Sequence, residues 1–412
     1  MSTMRARLPR PFHFFFLVLP YGVSFGFVNV ALPYVARQRG LGIEAIGSVI
    51  AAAFLPHSWK FLWAPLVDTT LTRKTWYLIA LVLVALGTFA SMAMPITPSS
   101  LGALTAVVMV SQIGLTLLYM ACEGTLGRAV PKERKSTAAA WLQAGSFLGL
   151  GVGGGAAIEL VSHLPGAIAG LLVATTLLAC AFPLLSFDEP PAAARGSPAA
   201  ALRSLGRDLR GLVRTRSGIM ALALCASAVG AGAAGNLFGA LADDWHASRG
   251  VVELTSGWLA GIVSALGAGA GGWLVRRMDR RLAYCLAGGL TAAAGVLMAE
   301  LPHTSATYAV FTLAYAAFTG MAYAAFSAFA FETIGQESVA TKYSILASLL
   351  NLAISFKTGV DSHAHGSFGP AGVLLVDAAL TAGGVLLICV TMALTRSANR
   401  RSGAPPAPPA PG

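Results

Sequence analysis

Ala64-Pro65-Leu66-Val67-Asp68, closing on Arg73-Lys74, and Gly272-Trp273-Leu274-Val275-Arg276-Arg277-Met278-Asp279-Arg280-Arg281 stand 208 residues apart and share one layout. Each runs from a small residue through an aliphatic pair to an acid and a basic pair. The same offset carries Arg134 onto Lys342 and Ser136 onto Ser344. Three landmarks at one spacing indicate a duplicated unit, one copy in each half of the chain. Each stretch also closes a long apolar run, 43–67 in the first half and 253–275 in the second.

Outward from these landmarks, apolar runs recur along the whole chain. They lie near 12–36, 43–67, 76–95, 101–126, 137–161 and 165–187, and again near 217–241, 253–275, 282–300, 306–331, 342–362 and 371–395. The chain has 412 residues, of which 56% are hydrophobic and only 11% charged, with a mean hydropathy of +0.71. A soluble domain carries about 25% charged residues, so water-soluble enzymes and nucleic-acid binders are excluded. Setting aside the polar ends and centre leaves about 30 residues per run, enough for a membrane helix of ~20–25 residues and a short connection. The fold expected is an all-α membrane protein of twelve transmembrane helices in two pseudo-symmetric six-helix bundles. The first bundle is 1–187, a linker 188–216, the second bundle 217–395 and a disordered tail 396–412.

The net charge of +11 is confined to particular loops. Twenty-three of the 28 lysines and arginines fall in the N-terminal tail, the linker, the C-terminal tail and the even-numbered loops. By the positive-inside rule both termini and the linker are expected to be cytoplasmic. The linker begins Asp188-Glu189-Pro190-Pro191 and sets Leu202, Leu205, Leu209 and Leu212 on one helical face against Arg203, Arg207, Arg210 and Arg214 on another. That pattern fits an interfacial helix on an anionic surface; a disordered tether is the alternative. The five cysteines all fall in apolar runs without a CxxC pair, as small buried hydrophobes do.

The two quoted loops resemble the G-x-L-x-D-R-x-G-R-R pattern between the second and third helices of major facilitator superfamily transporters. The resemblance implies that Asp68, Arg73 and Lys74, with Arg276, Arg277, Arg280 and Arg281, clamp helix ends in one closed state. Lys60-Phe61-Leu62-Trp63-Ala64-Pro65-Leu66-Val67-Asp68 further resembles the K-F-L-W-A/S-P-L-x-D signature of AmpG-type permeases in the peptide/acetyl-CoA/drug branch. Pro131-Lys132-Glu133-Arg134 and Ala340-Thr341-Lys342-Tyr343-Ser344-Ile345-Leu346 are similar to two further motifs of that branch. Two departures stand out: Leu118 replaces an acid of the family's fourth helix, and the fifth run lacks the Gly-Pro element of antiporters. The function implied is import of an amphiphilic small solute by alternating access, proton-coupled. A siderophore importer and a drug or metabolite exporter are alternatives, and a membrane-embedded enzyme is the rival from another class. For an enzyme, the sequence lacks an HExxH motif or paired catalytic acids, so none is expected.

The few charges inside apolar runs mark the candidate sites, because charge in a membrane is costly and tends to be functional. Glu123 occupies the acidic position that the family's fourth helix retains and is the expected proton carrier; its structural alternative is an ion pair with Arg128 or Lys60. Lys60 either holds an anionic group or plays a structural or gating part, snorkelling to the interface or pairing with Glu123, and the structural or gating part is the reading favoured. Lys357 has two partners in reach, Asp361 one turn on and Asp377 at matching depth on the next antiparallel helix, and a neutral cluster is the reading favoured over a substrate contact. The resemblance makes the first, fourth, seventh and tenth helices line a cavity, and their candidates are Phe25, Asn29, Gln112, Tyr119, Asn236, Tyr315 and Tyr323. Such aromatic stripes also serve simple packing. His363 and His365, two apart and read as part of a turn, do not suggest a metal site. No cofactor, metal or nucleic acid is expected; the partners are a small solute, protons and the bilayer, and the protein is expected to be a monomer.

Overall fold

The computed structural model describes residues 7–189, 198–227, 229–230, 232–334 and 339–401. The side chains of Asp68, Ser136 and Leu202, and the chain from residue 402 on, lie outside the described set. A chain in hydrocarbon must satisfy every backbone N–H and C=O internally, and these apolar runs do so as helices. Spans 1–6 are His13–Gln38, Ile43–Thr69, Arg73–Ala93, Pro98–Ala129, Lys132–His163 and Gly166–Leu185. Spans 8–10 are Arg249–Leu274, Arg280–Glu300 and Ser305–Ile334.

The two remaining regions depart from plain helices. A continuous stretch Val339–Arg401 is broken at Gly369, whose φ of 70° and ψ of −167° reverse the chain just before Pro370. It therefore supplies spans 11 and 12, and its helix runs on to Arg401, past the residue 395 expected for its end. The seventh span, expected as one run over 217–241, is instead discontinuous. A helix Arg216–Ala226 gives way to 3₁₀ turns at Ala233–Leu237 and Ala242–Trp245, linked by one α turn, Phe238–Leu241. Gly230, Gly232 and Gly235 weaken the helix there. Gly232 takes a left-handed φ of 61°, and the Thr319 side chain fills the space its β-carbon would need. The twelve spans form two six-helix halves.

Packing is tight where small residues meet, as expected when no hydrophobic force drives helices together in lipid. A β-carbon on Gly22 of span 1 would lie 2.8 Å from the Cα of Gly149 of span 5. Three apolar cores result. At the basic-loop end each half has its own core, one around Phe14, Leu81 and Leu118, the other around Leu224, Tyr284 and Phe326. At the opposite end a single core joins the halves, packing Phe27, Ile43, Ile50 and Ile158 with Leu237, Trp245, Tyr308 and Leu374.

A helix does form in the linker, at Pro198–Arg214. Leu205 and Leu212 are buried in the core of the second half, while Leu209 is exposed. Of the cysteines, Cys122, Cys225 and Cys285 are buried, but Cys180 is half-buried and Cys389 exposed, so the expectation of five buried thiols holds for three.

Candidate functional site

Between the halves lies a cavity of about 320 Å³, lined by spans 1, 2, 4 and 5 of the first half and 7, 8, 10 and 11 of the second. Pockets for small molecules run from about 300 to 1,000 Å³, which sets this one at the compact end. Its far wall is the shared apolar core, so it lies on the basic-loop side of the joint between the halves.

Lys60 and Glu123 both line the cavity, on spans 2 and 4. Among the described residues neither makes an ion pair, with the other or with any other side chain. Glu123 is exposed to the cavity and Lys60 half-buried. A cation and an anion thus face the same space, close enough to feel each other but not in contact.

The wall around them is aromatic and amide-rich. Tyr21 stacks on Phe25 with ring centres 5.8 Å apart and lies 4.6 Å from Tyr119. The Tyr119 hydroxyl donates to Gln143 Oε1 at 3.4 Å. Asn236 and Tyr323 complete the wall from the second half, so Phe25, Tyr119, Asn236 and Tyr323 line the cavity as expected from their positions.

Three expected wall residues sit behind it. Gln112 is buried and shares a 2.9 Å hydrogen bond with His57. Asn29 lies in a π-helical turn, Phe27–Ala31, and donates to the Phe25 carbonyl at 2.8 Å; the extra residue per turn rotates it off the Phe25 face. Tyr315 belongs to the shared core and donates to Asp377 Oδ2 at 2.9 Å. Conversely, His57, Gln143 and Asn351 line the cavity without having been singled out. His57 stands three residues before Lys60, hence on the same helical face, and that spacing was the available signal. Gln112 behind it holds the imidazole toward the cavity.

The other buried charges form a separate cluster outside the cavity wall. Lys357 Nζ lies 2.8 Å from Asp377 Oδ1, with side chains only 5% and 3% exposed. The same ammonium donates to Thr381 Oγ1 at 2.8 Å and to the Asp377 carbonyl at 3.3 Å. Asp361 is fully buried beside them.

The basic loops tie their own halves. Arg73 N and Lys74 N donate to the Glu189 carboxylate at 2.6 and 3.2 Å, and the Lys74 ammonium donates to the Leu184 and Phe187 carbonyls. In the second half Arg280 Nη1 pairs with Glu332 Oε2 at 3.1 Å, Arg277 lies 5.1 Å over the Trp273 ring, and the Asp279 carboxylate caps Arg281 N at 3.0 Å. Arg276 N donates to the Trp273 carbonyl at 3.2 Å.

Polar contacts that join the halves gather at the other end. Gln38 Nε2 donates to Asp243 at 3.0 Å, Arg249 pairs with Glu159 at 3.4 Å, and His363 meets Glu44 at 2.8 Å. Deeper, Ser355 donates to the Ala51 carbonyl at 2.7 Å, and a β-carbon on Gly257 would come within 2.7 Å of Gly155 Cα. His363 and His365 are helical, not in the turn expected, and His365 faces Asp244 at 3.8 Å.

Comparison with known proteins follows this architecture. The Major Facilitator Superfamily profile matches residues 14–358. No curated protein matches the chain. Among solved structures it is similar to nucleoside transporter NupG, with a TM-score of 0.72 at 12% identity over 92% of this chain and 99% of that one. A D-xylose-proton symporter gives 0.72 at 13% identity, covering 92% and 97%. A POT family transporter in complex with a thioalcohol-conjugated peptide gives 0.69 at 12% identity, covering 92% and 95%.

Proposed function

The chain belongs to the Major Facilitator Superfamily, and from that premise we propose that it is an AmpG-like permease of the bacterial inner membrane that imports a compact amphiphilic solute together with protons. One observation carries this reading: a cavity between two halves, closed at one end by a shared core, presents Lys60 and Glu123 with no ion pair to either among the described residues. Lys60 and His57 hold the anionic edge of the solute, the Tyr21–Phe25–Tyr119 wall takes its flat face, and Gln143 and Asn236 meet its polar edges. The basic loops and both termini are cytoplasmic by the positive-inside rule, so the arrangement corresponds to the inward-facing state. Rocking of the halves would part the opposite end and turn the cavity outward.

Glu123 is the group we assign to coupling, since it can hold a proton when solute is bound and lose it to the inside. An iron chelate is the second candidate solute, favoured by the aromatic wall beside a lysine. Purified protein in proteoliposomes, given an imposed proton gradient and either a muropeptide fragment or a ferric chelate, tests both. Wild type is expected to accumulate one of them, and Glu123→Gln to exchange it without accumulation. Full gradient-driven accumulation by Glu123→Gln would remove Glu123 from the mechanism.

A further inference from the structure

The cluster behind the cavity holds two carboxyl groups and one lysine. Asp377 has a close partner at each oxygen: Lys357 approaches one at 2.8 Å and the Tyr315 hydroxyl donates to the other at 2.9 Å. Asp361 has no comparable contact among the described residues. It is 0% exposed, and neither of its carboxyl oxygens has a hydrogen-bond donor among the described residues. Within reach of it lies the Asp377 carboxylate, which is itself an acceptor. Two acceptors facing each other in a dry site repel unless something stands between them. A hydrogen atom on one of them turns the contact into a hydrogen bond and leaves the cluster neutral, one lysine balanced by one carboxylate.

We propose that Asp361 is a proton-binding site, distinct from Glu123, whose access to water is governed by the seam between spans 2 and 11. The titratable groups around it are Lys357 on its own helix, Asp377 on span 12 and Tyr315 on span 10. Spans 2 and 7 meet the depth of Asp361 with uncharged groups, the Ala51 carbonyl accepting from Ser355, Gly47 packing on Ser362 and Asn236 donating to Thr358 at 3.3 Å, and meet the rim beyond it with charged ones, Glu44 at 2.8 Å from His363 and Asp244 at 3.8 Å from His365. Ser362 is the neighbour of Asp361 and lies in the seam that must part when the halves rock. Parting it admits water to Asp361, where the proton can leave as hydronium and the carboxylate be solvated; closing it requires the proton to return. Exchange at this site is thereby tied to opening of the end away from the basic loops. This rests on the reading of the chain as an alternating-access carrier, but the proton itself can be sought without any solute.

Infrared difference spectroscopy of the full-length protein in lipid nanodiscs at neutral pH reads the carbonyl stretch of protonated carboxyl groups. Wild type is expected to show such a band, Asp361→Asn to lose it and Glu123→Gln to keep it. An unchanged band in Asp361→Asn, or none in wild type, overturns the proposal. If Asp361→Asn does not fold, Lys357→Met/Asp377→Asn serves: with a proton on Asp361 this double variant contains no net buried charge and stays folded. Its failure to fold while Lys357→Met/Asp361→Asn/Asp377→Asn folds would show Asp361 ionised and also overturn it. Gradient-driven uptake by Glu123→Gln reports on the coupling role of Glu123 separately, so either reading can fall without the other.

Discussion

Two lysine-and-acid groups lie inside this membrane protein, and they are built oppositely. In the first half Lys60 and Glu123 face one cavity and feel each other's charge across it, but neither makes an ion pair among the described residues. In the second half Lys357 and Asp377 touch at 2.8 Å, 5% and 3% exposed, with Thr381 and Tyr315 filling their remaining positions. The same residue types therefore do two jobs, and hydration separates them. Where water reaches, charges can wait for a ligand; where it does not, each must be answered by the chain or by a proton.

The largest effect should come from breaking the dry cluster. Lys357→Met leaves Asp377 buried without its counter-charge and should cost about 3–5 kcal/mol, read as thermal unfolding in detergent, with Asp377→Asn in the same chain regaining most of it. A small loss would mean that the cluster is wetter than its burial implies. Next, forcing apart the end where the halves share a core should erase the contrast by wetting both sites. Gly257→Val puts atoms where the Gly155 backbone lies and should bias the halves apart by about 1–3 kcal/mol, lengthening the distance between spin labels at Gly40 and Gly366. At the open site the opposite pattern is expected: Lys60→Met should reduce solute uptake about tenfold, roughly 1.4 kcal/mol, while shifting folding stability by only about 0.5 kcal/mol. An equal loss of stability would make Lys60 structural. The smallest effect belongs to the rim, where Glu44→Gln removes the exposed contact with His363 and should change the opening equilibrium by under about 1 kcal/mol.

Much of the architecture was legible because hydropathy and duplication are properties of the chain alone. The spans, the linker and the repeat could be read from apolar runs and a constant offset. The break in span 7 could not, since Gly230, Gly232 and Gly235 lower helical stability without saying whether tertiary packing will override them. Here Thr319, from span 10, occupies the space that a regular residue would need. Rotation of the helices was the other hidden variable. Phe25 and Asn29 stand four apart, yet a π turn between them puts one on the cavity and the other beneath it. The depth argument for Lys357 and Asp377 needed only the position of the turn, and the two side chains do meet. His57 was missed because its partner, Gln112, comes from another helix 55 residues away.

The linker has a consequence for how the protein could be assembled. Asp188 and Glu189 are fastened to the first half through Arg7, Arg73 and Lys74, while Leu205 and Leu212 are embedded in the second. Each half thus ends in a finished surface on its own side of residues 190–197. Two polypeptides cut between those points should each carry everything needed to fold, and should find one another through the shared core when made together in one cell.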